Sequence, residues 1–403
     1  FRMGVLISVY VAETDQQAAQ YEAQGRQAVV RLKMPREGIC QIDDLVRGQV
    51  EFAWESEQDV VIQKADGSCL YHLASVVDDH DFEISHVIRA EEHLSNTPRQ
   101  IFILESLGYP RPCYAHLPYV AEPGSKTKLS KRKIDKYLKN PDFLELYKQG
   151  ESIARRCGRE VDADTFNPVL VDFYRDIGFL PHALVNYLLL LGWSLDDHSE
   201  QFTIDQMIQE FSLERVVKSP ASFDPAKLRA FQQREMDALP AKQKVALVLP
   251  FLQRAGLVDE PPACETGPYL GSIVAAAADR IAVAGDILEF DDFFAADDEL
   301  QYDEKAIEKR LNNPTDAREL LGQFRQRLEE LESFTAEEIE AAIRQFVEEK
   351  ERKIGELIHP LRIAVTGKAV GFGLFETLAI LGQQRCLQRI DNLPDRPPDG
   401  QSD

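Results

Sequence analysis

The stretch GSKTKLSKRK, at positions 124–133, carries five cations in ten residues: Lys126, Lys128, Lys131, Arg132 and Lys133. The chain around it is strongly acidic, with a formal net charge of -22 at pH 7. Such a chain repels polyanions at long range, so any polyanionic partner must be held by a local patch. A lysine ammonium is a compact point charge on a flexible stem. Lys128 and Lys131 therefore suit a loop that closes on a triphosphate. Displacement at phosphorus asks the protein for placed positive charge more than for a covalent nucleophile. The alternative is a solvated basic loop ahead of a helix.

Other chemistries are poorly supported. The six cysteines are dispersed, and none forms a CxxC pair. Scattered reduced thiols are expected rather than a zinc ribbon or redox motif, and no protein-bound zinc is expected. HExxH is absent, which removes a zincin site. The segment AVGFG (369–373) lacks GxGxxG spacing and reads as a turn before the last helix. No run of eighteen apolar residues occurs, so no transmembrane helix is expected. The first residue is Phe1, and the opening segment makes a poor signal peptide. The numbering is expected to begin inside a longer protein.

The elements that would carry such a loop divide into two styles. The 403 residues suggest two to four domains. Residues 27–63 alternate apolar and polar side chains and predict strands. The run 58–79 reads as a hairpin turning at Asp66-Gly67, its second strand burying Val76 and Val77 and ending in Asp78, Asp79 and His80. Those acids would lie at the carboxyl edge of a sheet, in capping or water-orienting roles. A helix follows, with Thr97 as its cap, Pro98 in its first turn, and Ile101, Leu104 and Leu107 on one face. ALVNYLLLLGW (183–193) suits a buried helix. From about Phe166 onward the pattern is nearly all helical. Asp224-Pro225 and Asn313-Pro314 read as helix starts, and Thr335 with Glu338 as a capping box. The acidic 291–304 segment reads as a connector, and the polar, proline-rich tail as disordered.

In this setting KLSKR (128–132) resembles the KMSKS loop of class I aminoacyl-tRNA synthetases. The segment DGSCLYHLASVVDDHDFEISHVIRAEEHLSNTPRQIFILESLGY (66–109) is similar to the second half of a glutamyl-tRNA synthetase catalytic domain. GFLPHALVNYLLLLGWS and FSLERVVKSPASFDPAKLRAF resemble that family's stem-contact region, and IHPLRIAVTGKAVGFGLFETLAILG the end of its anticodon-binding region. The motifs stand in family order over about residues 25–390.

The resemblance implies an α/β fold, a partial Rossmann-type catalytic domain with a connective insertion, followed by a mostly helical stem-contact region and an all-α anticodon-binding region. Its expected boundaries are 1–52 for the insertion, 53–125 for the second half of the catalytic domain, and 126–242 for the loop and stem-contact region. Two helical anticodon-binding subdomains follow at 243–316 and 317–392, with the tail at 393–403. The segment 134–167 reads as an insertion. No HxGH occurs, so the first half of the nucleotide-binding domain is expected to be missing from this sequence. The chain alone is then expected to fail in ATP–pyrophosphate exchange, and the region Tyr71–His80 to form strands of a partial sheet with an exposed edge or apolar face.

The resemblance also implies roles. Tyr71 and Arg89 would contact the substrate glutamate, Glu92 would lie near the ATP ribose, and Lys128 and Lys131 would reach the ATP phosphates. Lys126, Arg132 and Lys133 would lie nearer the tRNA. Arginine offers a planar fork to a carboxylate; the alternative for Arg89 is an ion pair with Glu91 or Glu92. Ser75 stands where many family members have asparagine. The implied partners are tRNA(Glu), ATP with magnesium, and L-glutamate, in a cytoplasmic monomer. One competing reading is a synthetase relative that only binds tRNA. A second is a short relative that glutamylates a tRNA base; the helical half after 243 argues against it.

Overall fold

The computed structural model describes residues 6–9, 15–313 and 316–394. The first strands are β1 (Leu6–Val9), β2 (Val29–Leu32), β3 (Ile39–Asp44), β4 (Gly48–Ala53) and β5 (Val60–Gln63), with helix α1 (Asp15–Ala23) after β1. Helix α2 (Tyr71–Asp81), strand β6 (His86–Ala90), helix α3 (Thr97–Leu107) and strands β7 (Cys113–Leu117) and β8 (Val120–Ala121) follow. The chain forms two compact units by its contacts: 1–130 with 185–224, and 131–184 with 225–403.

In the first unit β1, β2 and β5 form an antiparallel sheet. A second sheet has the order β4-β3-β7-β6. β3 and β4 are a hairpin, whereas β3–β7 and β6–β7 are parallel, with Arg89 opposite His116. α3 supplies the crossover that two parallel strands require. Side chains of β3 alternate in and out, so Cys40, Ile42 and Asp44 all enter the interior. The core gathers Ile42, Trp54, Val76, Ile101, Leu104 and Tyr114.

The region 71–81 is α2, not the second arm of a hairpin. Leu73, Val76, Val77 and His80 recur at helical spacing, and packing on α3 overrides the strand preference of the two valines. The turn at Asp66-Gly67 forms as predicted, with the Lys64 amide donating to Ser68 O at 2.9 Å and the Leu70 amide to Ile62 O at 2.8 Å, but the second arm goes no further than the Gln63–Cys69 bridge. Asp78 and Asp79 therefore sit near a helix end rather than at a strand's carboxyl edge. The expected open edge exists elsewhere: β6 has a neighbour only on its β7 side among the described residues, and Phe82, Ile84 and Ile88 near it are exposed. α3 begins at Thr97 without a side-chain cap, and Leu107 is exposed while Ile101 and Leu104 are buried.

The helices after the basic stretch are α4 (Ile134–Tyr137), α5 (Pro141–Arg156), α6 (Val171–Ile177), α7 (Pro181–Leu190) and α8 (Ile204–Glu210). α7 buries Ala183, Asn186 and Tyr187 but exposes Val185 and Leu188, so it is amphipathic rather than wholly buried. The two-residue strand β9 (Ala221–Ser222) pairs with β8 in the first unit.

The second unit continues with α9 (Pro225–Ala238), α10 (Ala241–Arg254), α11 (Thr266–Ala277), α12 (Glu304–Ile307), α13 (Ala317–Glu329), α14 (Ala336–Glu349), α15 (Ile354–Thr366), α16 (Leu374–Leu381) and α17 (Gln383–Asp391). Pro225 opens α9 as predicted. Thr335 caps α14, accepting from the Glu338 amide at 3.3 Å. α13 starts at Ala317, later than the Asn313-Pro314 reading, because residues Glu308–Asn312 extend α12 as a π turn that Asn313 ends; Pro314 lies outside the described residues. The AVGFG turn precedes α16, and α17 follows it. The acidic connector is anchored by cations: Lys368 pairs with Asp291 and Asp292, and Arg385 and Arg389 pair with Asp297. Most of the predicted tail, 395–403, lies outside the described residues.

Candidate active site

β6 ends in VIRA, with Glu91 and Glu92 following it on a short 3-10 turn, and its two-residue period turns Val87 and Arg89 to one face. Arg89 is half-buried. Its Nε donates to His116 Nε2 at 3.1 Å, and its Nη2 donates to Thr97 Oγ1 and Gln100 Oε1, both at 2.8 Å. All three partners are uncharged. Neither Glu91 nor Glu92 takes the guanidinium: Glu91 pairs with Arg47, and Glu92 with Lys128. The fork is thus partly consumed by the protein, and Nη1 is the nitrogen left for a ligand.

Behind Arg89 lies a fully buried pair. His116 Nδ1 stands 2.5 Å from Asp44 Oδ2, with both side chains 0 % exposed. Burial alone would raise the Asp44 carboxyl. Hydrogen bonds from the Arg47 amide, the His116 ring, and the His116 and Val46 amides outweigh it and hold the carboxyl below its usual range. Burial pushes the His116 imidazole down, Asp44 opposes this, and the charges of Arg89 and Arg47 reinforce it.

Tyr71 and Ser75 share a face one turn apart at the start of α2. Tyr71 is 53 % exposed, leaving its ring open to a ligand. Ser75 Oγ accepts from Gln100 Nε2 at 3.0 Å, and Gln100 in turn accepts from Arg89. This chain of bonds ties the second turn of α2 to the end of β6. Asp79, raised by burial with Arg89 opposing, lines a cavity of about 620 Å³ together with Gln100 and Tyr114.

The basic stretch opens as a tight turn. The Glu122 amide donates to Thr127 O at 2.7 Å and the Leu129 amide to Val120 O at 2.9 Å, which brings Lys128 onto a returning arm. Gly124, at φ +67°, donates its amide to Ser222 Oγ at 2.8 Å. Lys128 reaches Glu92, and this contact holds the Glu92 carboxyl below its ordinary range. The structure therefore joins Arg89, Glu92 and Lys128 in one region of the first unit. Lys131 is exposed on the short turn Lys131–Lys133, which opens the second unit.

Asp44, His116, Thr97 and Gln100 were missed as site residues. One signal was present: Asp44 occupies an inward position of an alternating strand, where a charge demands a buried partner. In the second unit a cavity of about 240 Å³ is lined by Arg280, Arg362, Lys368 and Phe372. Arg362 Nη1 is buried there without a hydrogen-bond partner.

The parallel strands with an arginine at their carboxyl edge, and the lysine loop beside them, agree with comparison to known proteins. Residues 8–155 and 165–230 match the family described as tRNA synthetases class I (E and Q), catalytic domain, and residues 243–394 match an anticodon binding domain. The protein is a class I aminoacyl-tRNA synthetase. The glutamate–tRNA ligase of Moorella thermoacetica is 37 % identical over 370 residues, 92 % of this chain and 68 % of that one. That of Desulforudis audaxviator is 36 % identical over 380 residues, 94 % of this chain and 69 % of its own. The solved structure of a glutamate tRNA ligase from Elizabethkingia meningosepticum, in complex with its amino acid, aligns with a TM-score of 0.72 at 27 % identity. It covers 94 % of this chain and 70 % of that one. The chain belongs to the glutamate–tRNA ligase family. Among the described residues no helix is long and apolar enough to cross a membrane.

Proposed function

We propose that Arg89 and Tyr71 bind the side chain of glutamate, that Lys128 and Lys131 meet the phosphates of ATP, and that Glu92 lies by the ribose. The reaction joins glutamate to ATP and then to tRNA(Glu). A glutamate carboxylate oxygen attacks the α-phosphorus, pyrophosphate leaves, and glutamyl-adenylate forms. A hydroxyl of the terminal adenosine then attacks the adenylate carbonyl, and AMP leaves. No protein nucleophile is needed, because positioning and placed charge carry the steps. Magnesium enters with ATP as part of the substrate. Among the described residues no group of three or more His, Cys, Asp or Glu side chains stands ready for a metal ion.

The observation that carries this reading is the guanidinium of Arg89. It is half-buried, and its three hydrogen-bond partners are all neutral. A cation so placed favours an anionic ligand, and glutamate offers a carboxylate where glutamine offers a neutral amide. The Lys128–Glu92 contact supports a loop that exchanges this carboxylate for phosphate oxygens when ATP enters. In the second unit, the unpartnered Arg362 Nη1 beside Arg280 favours an acceptor from the anticodon loop. We assign 1–125 to the insertion and catalytic domain, 126–242 to the loop and stem-contact region, and 243–392 to anticodon binding.

The test is tRNA glutamylation by the full-length protein carrying Arg89→Leu. Loss of a buried charged contact costs about 2–5 kcal/mol, so kcat/KM for glutamate is expected to fall at least about tenfold, with the KM for ATP little changed. An unchanged glutamate value would remove Arg89 from the pocket.

A further inference from the structure

The role proposed for Arg89 depends on how its guanidinium is turned, and two buried residues without a proposed role control that. Asp44 and His116 are 72 positions apart in sequence and meet at the carboxyl ends of β3 and β7. Asp44 is ionised and only accepts, so the Nδ1 of His116 must carry a proton toward it. Arg89 Nε is an obligate donor, so the Nε2 it meets at 3.1 Å must be a bare lone pair. These two neighbours select one tautomer of a neutral ring, and the Thr97 hydroxyl, 3.2 Å from Nε2, can donate to the same bare nitrogen. An imidazolium would set an N–H against the N–H of Arg89, and two positive charges side by side. The charged groups around the ring are Asp44 on β3, Arg47 on the turn after it and Arg89 on β6. Thr97 and Gln100, on α3, are neutral.

We propose that His116, locked by Asp44, is the positioning residue for Arg89. Its Nε2 holds Nε of the guanidinium while Thr97 and Gln100 hold Nη2, which leaves Nη1 to grip the substrate carboxylate. The inference rests on the reading of Arg89 as the glutamate-binding arginine. It adds that glutamate affinity depends on an acceptor at the place of Nε2, not on the volume of the ring.

Two variants separate these roles. The amide of His116→Gln extends to the place of Nε2 and offers Arg89 an acceptor. That of His116→Asn reaches only the place of Nδ1, where it satisfies Asp44 and leaves Nε of Arg89 without its acceptor, the guanidinium then held through Nη2 alone. In tRNA glutamylation by the full-length protein, His116→Asn is expected to raise the KM for glutamate about tenfold or more, while His116→Gln stays within about threefold of wild type and the KM for ATP holds in both. A merely structural role predicts equal effects, or the larger loss for the longer amide, and either result overturns the proposal. Arg89→Leu is measured alongside. If it leaves the glutamate KM unchanged, the reading of Arg89 itself fails. If it raises the KM while the two His116 variants do not differ, only the positioning role fails. Nitrogen-15 spectra of the imidazole in the unsubstituted protein need no catalysis: at pH 7 they should show Nδ1 protonated and Nε2 bare. An imidazolium, or the opposite tautomer, overturns the inference.

Discussion

Arg389→Met is expected to loosen the anticodon-binding half by removing a cation buried at its centre. Arg389 is 0 % exposed, the largest fully buried side chain among the described residues. Its Nε donates to Asp297 Oδ1 at 2.7 Å, Nη1 to Val365 O at 2.6 Å, and Nη2 to Asp292 O at 2.9 Å and Ala295 O at 3.1 Å. Val365 lies in the last turn of α15, where carbonyls lack helical partners and favour a cation. Methionine keeps much of the length and removes every donor. Asp297 and Ala295 would still be served by Arg385, at 3.0 and 2.9 Å. Val365 O and Asp292 O would be orphaned. Breaking a buried charged cluster costs about 3–5 kcal/mol, and the surviving Arg385 contacts point to the lower end. At about 2–4 °C per kcal/mol for a unit of this size, the melting temperature should fall by about 6–12 °C. Scanning calorimetry reads this directly, and hydrogen exchange should quicken in the last turn of α15 and around 292–295. Arg389→Lys, which keeps the charge but not the fork, should fall between. A shift under about 2 °C for the methionine variant would refute the view that these bonds hold the connector to α15 and α17.

In the full-length protein, Lys131→Ala should slow adenylate formation by on the order of 10²-fold, since one placed donor on developing charge is worth about 3–4 kcal/mol. Filter binding should find tRNA affinity largely intact; strong loss of tRNA binding with normal adenylate formation would make the loop an RNA-binding patch. Gly367→Ala should destabilise the second unit by more than about 3 kcal/mol. The glycine sits at φ +73°, and an added Cβ would fall 1.9 Å from Gln301 O, so unchanged urea unfolding would contradict the packing described. Asp44 gives a pH signature. Its unfolded carboxyl titrates near 3.8 and its folded one lower, so its ionised form stabilises the fold above 3.8 and that contribution is lost as pH falls toward the folded value. The stability gap between wild type and Asp44→Asn should therefore shrink below pH 3.8 in denaturant titrations, and a gap that widens on acidification would reverse the sign.

Signals that are local in the chain were legible before any coordinates. The basic stretch, the alternation over 27–63, the proline at the start of α9 and the Thr335 cap each report the backbone state of a few adjacent residues. Motif order across the chain was enough to place the family. Where two local signals competed, the sequence alone was ambiguous: Val76 and Val77 favour a strand, yet the Leu73–Val76–Val77–His80 spacing is helical, and contact with α3 settled it. What only the tertiary structure decided is which polar groups meet. Asp44 finds His116, Glu91 finds Arg47, Lys128 finds Glu92, and Arg389 finds carbonyls more than twenty residues away. A buried donor or acceptor must be paired because desolvation is costly. That requirement names no partner. The choice falls to whichever group the packed strands and helices bring within reach, and so the cation that both readings of VIRAEE began with, Arg89, lies among neutral neighbours rather than against the glutamates beside it.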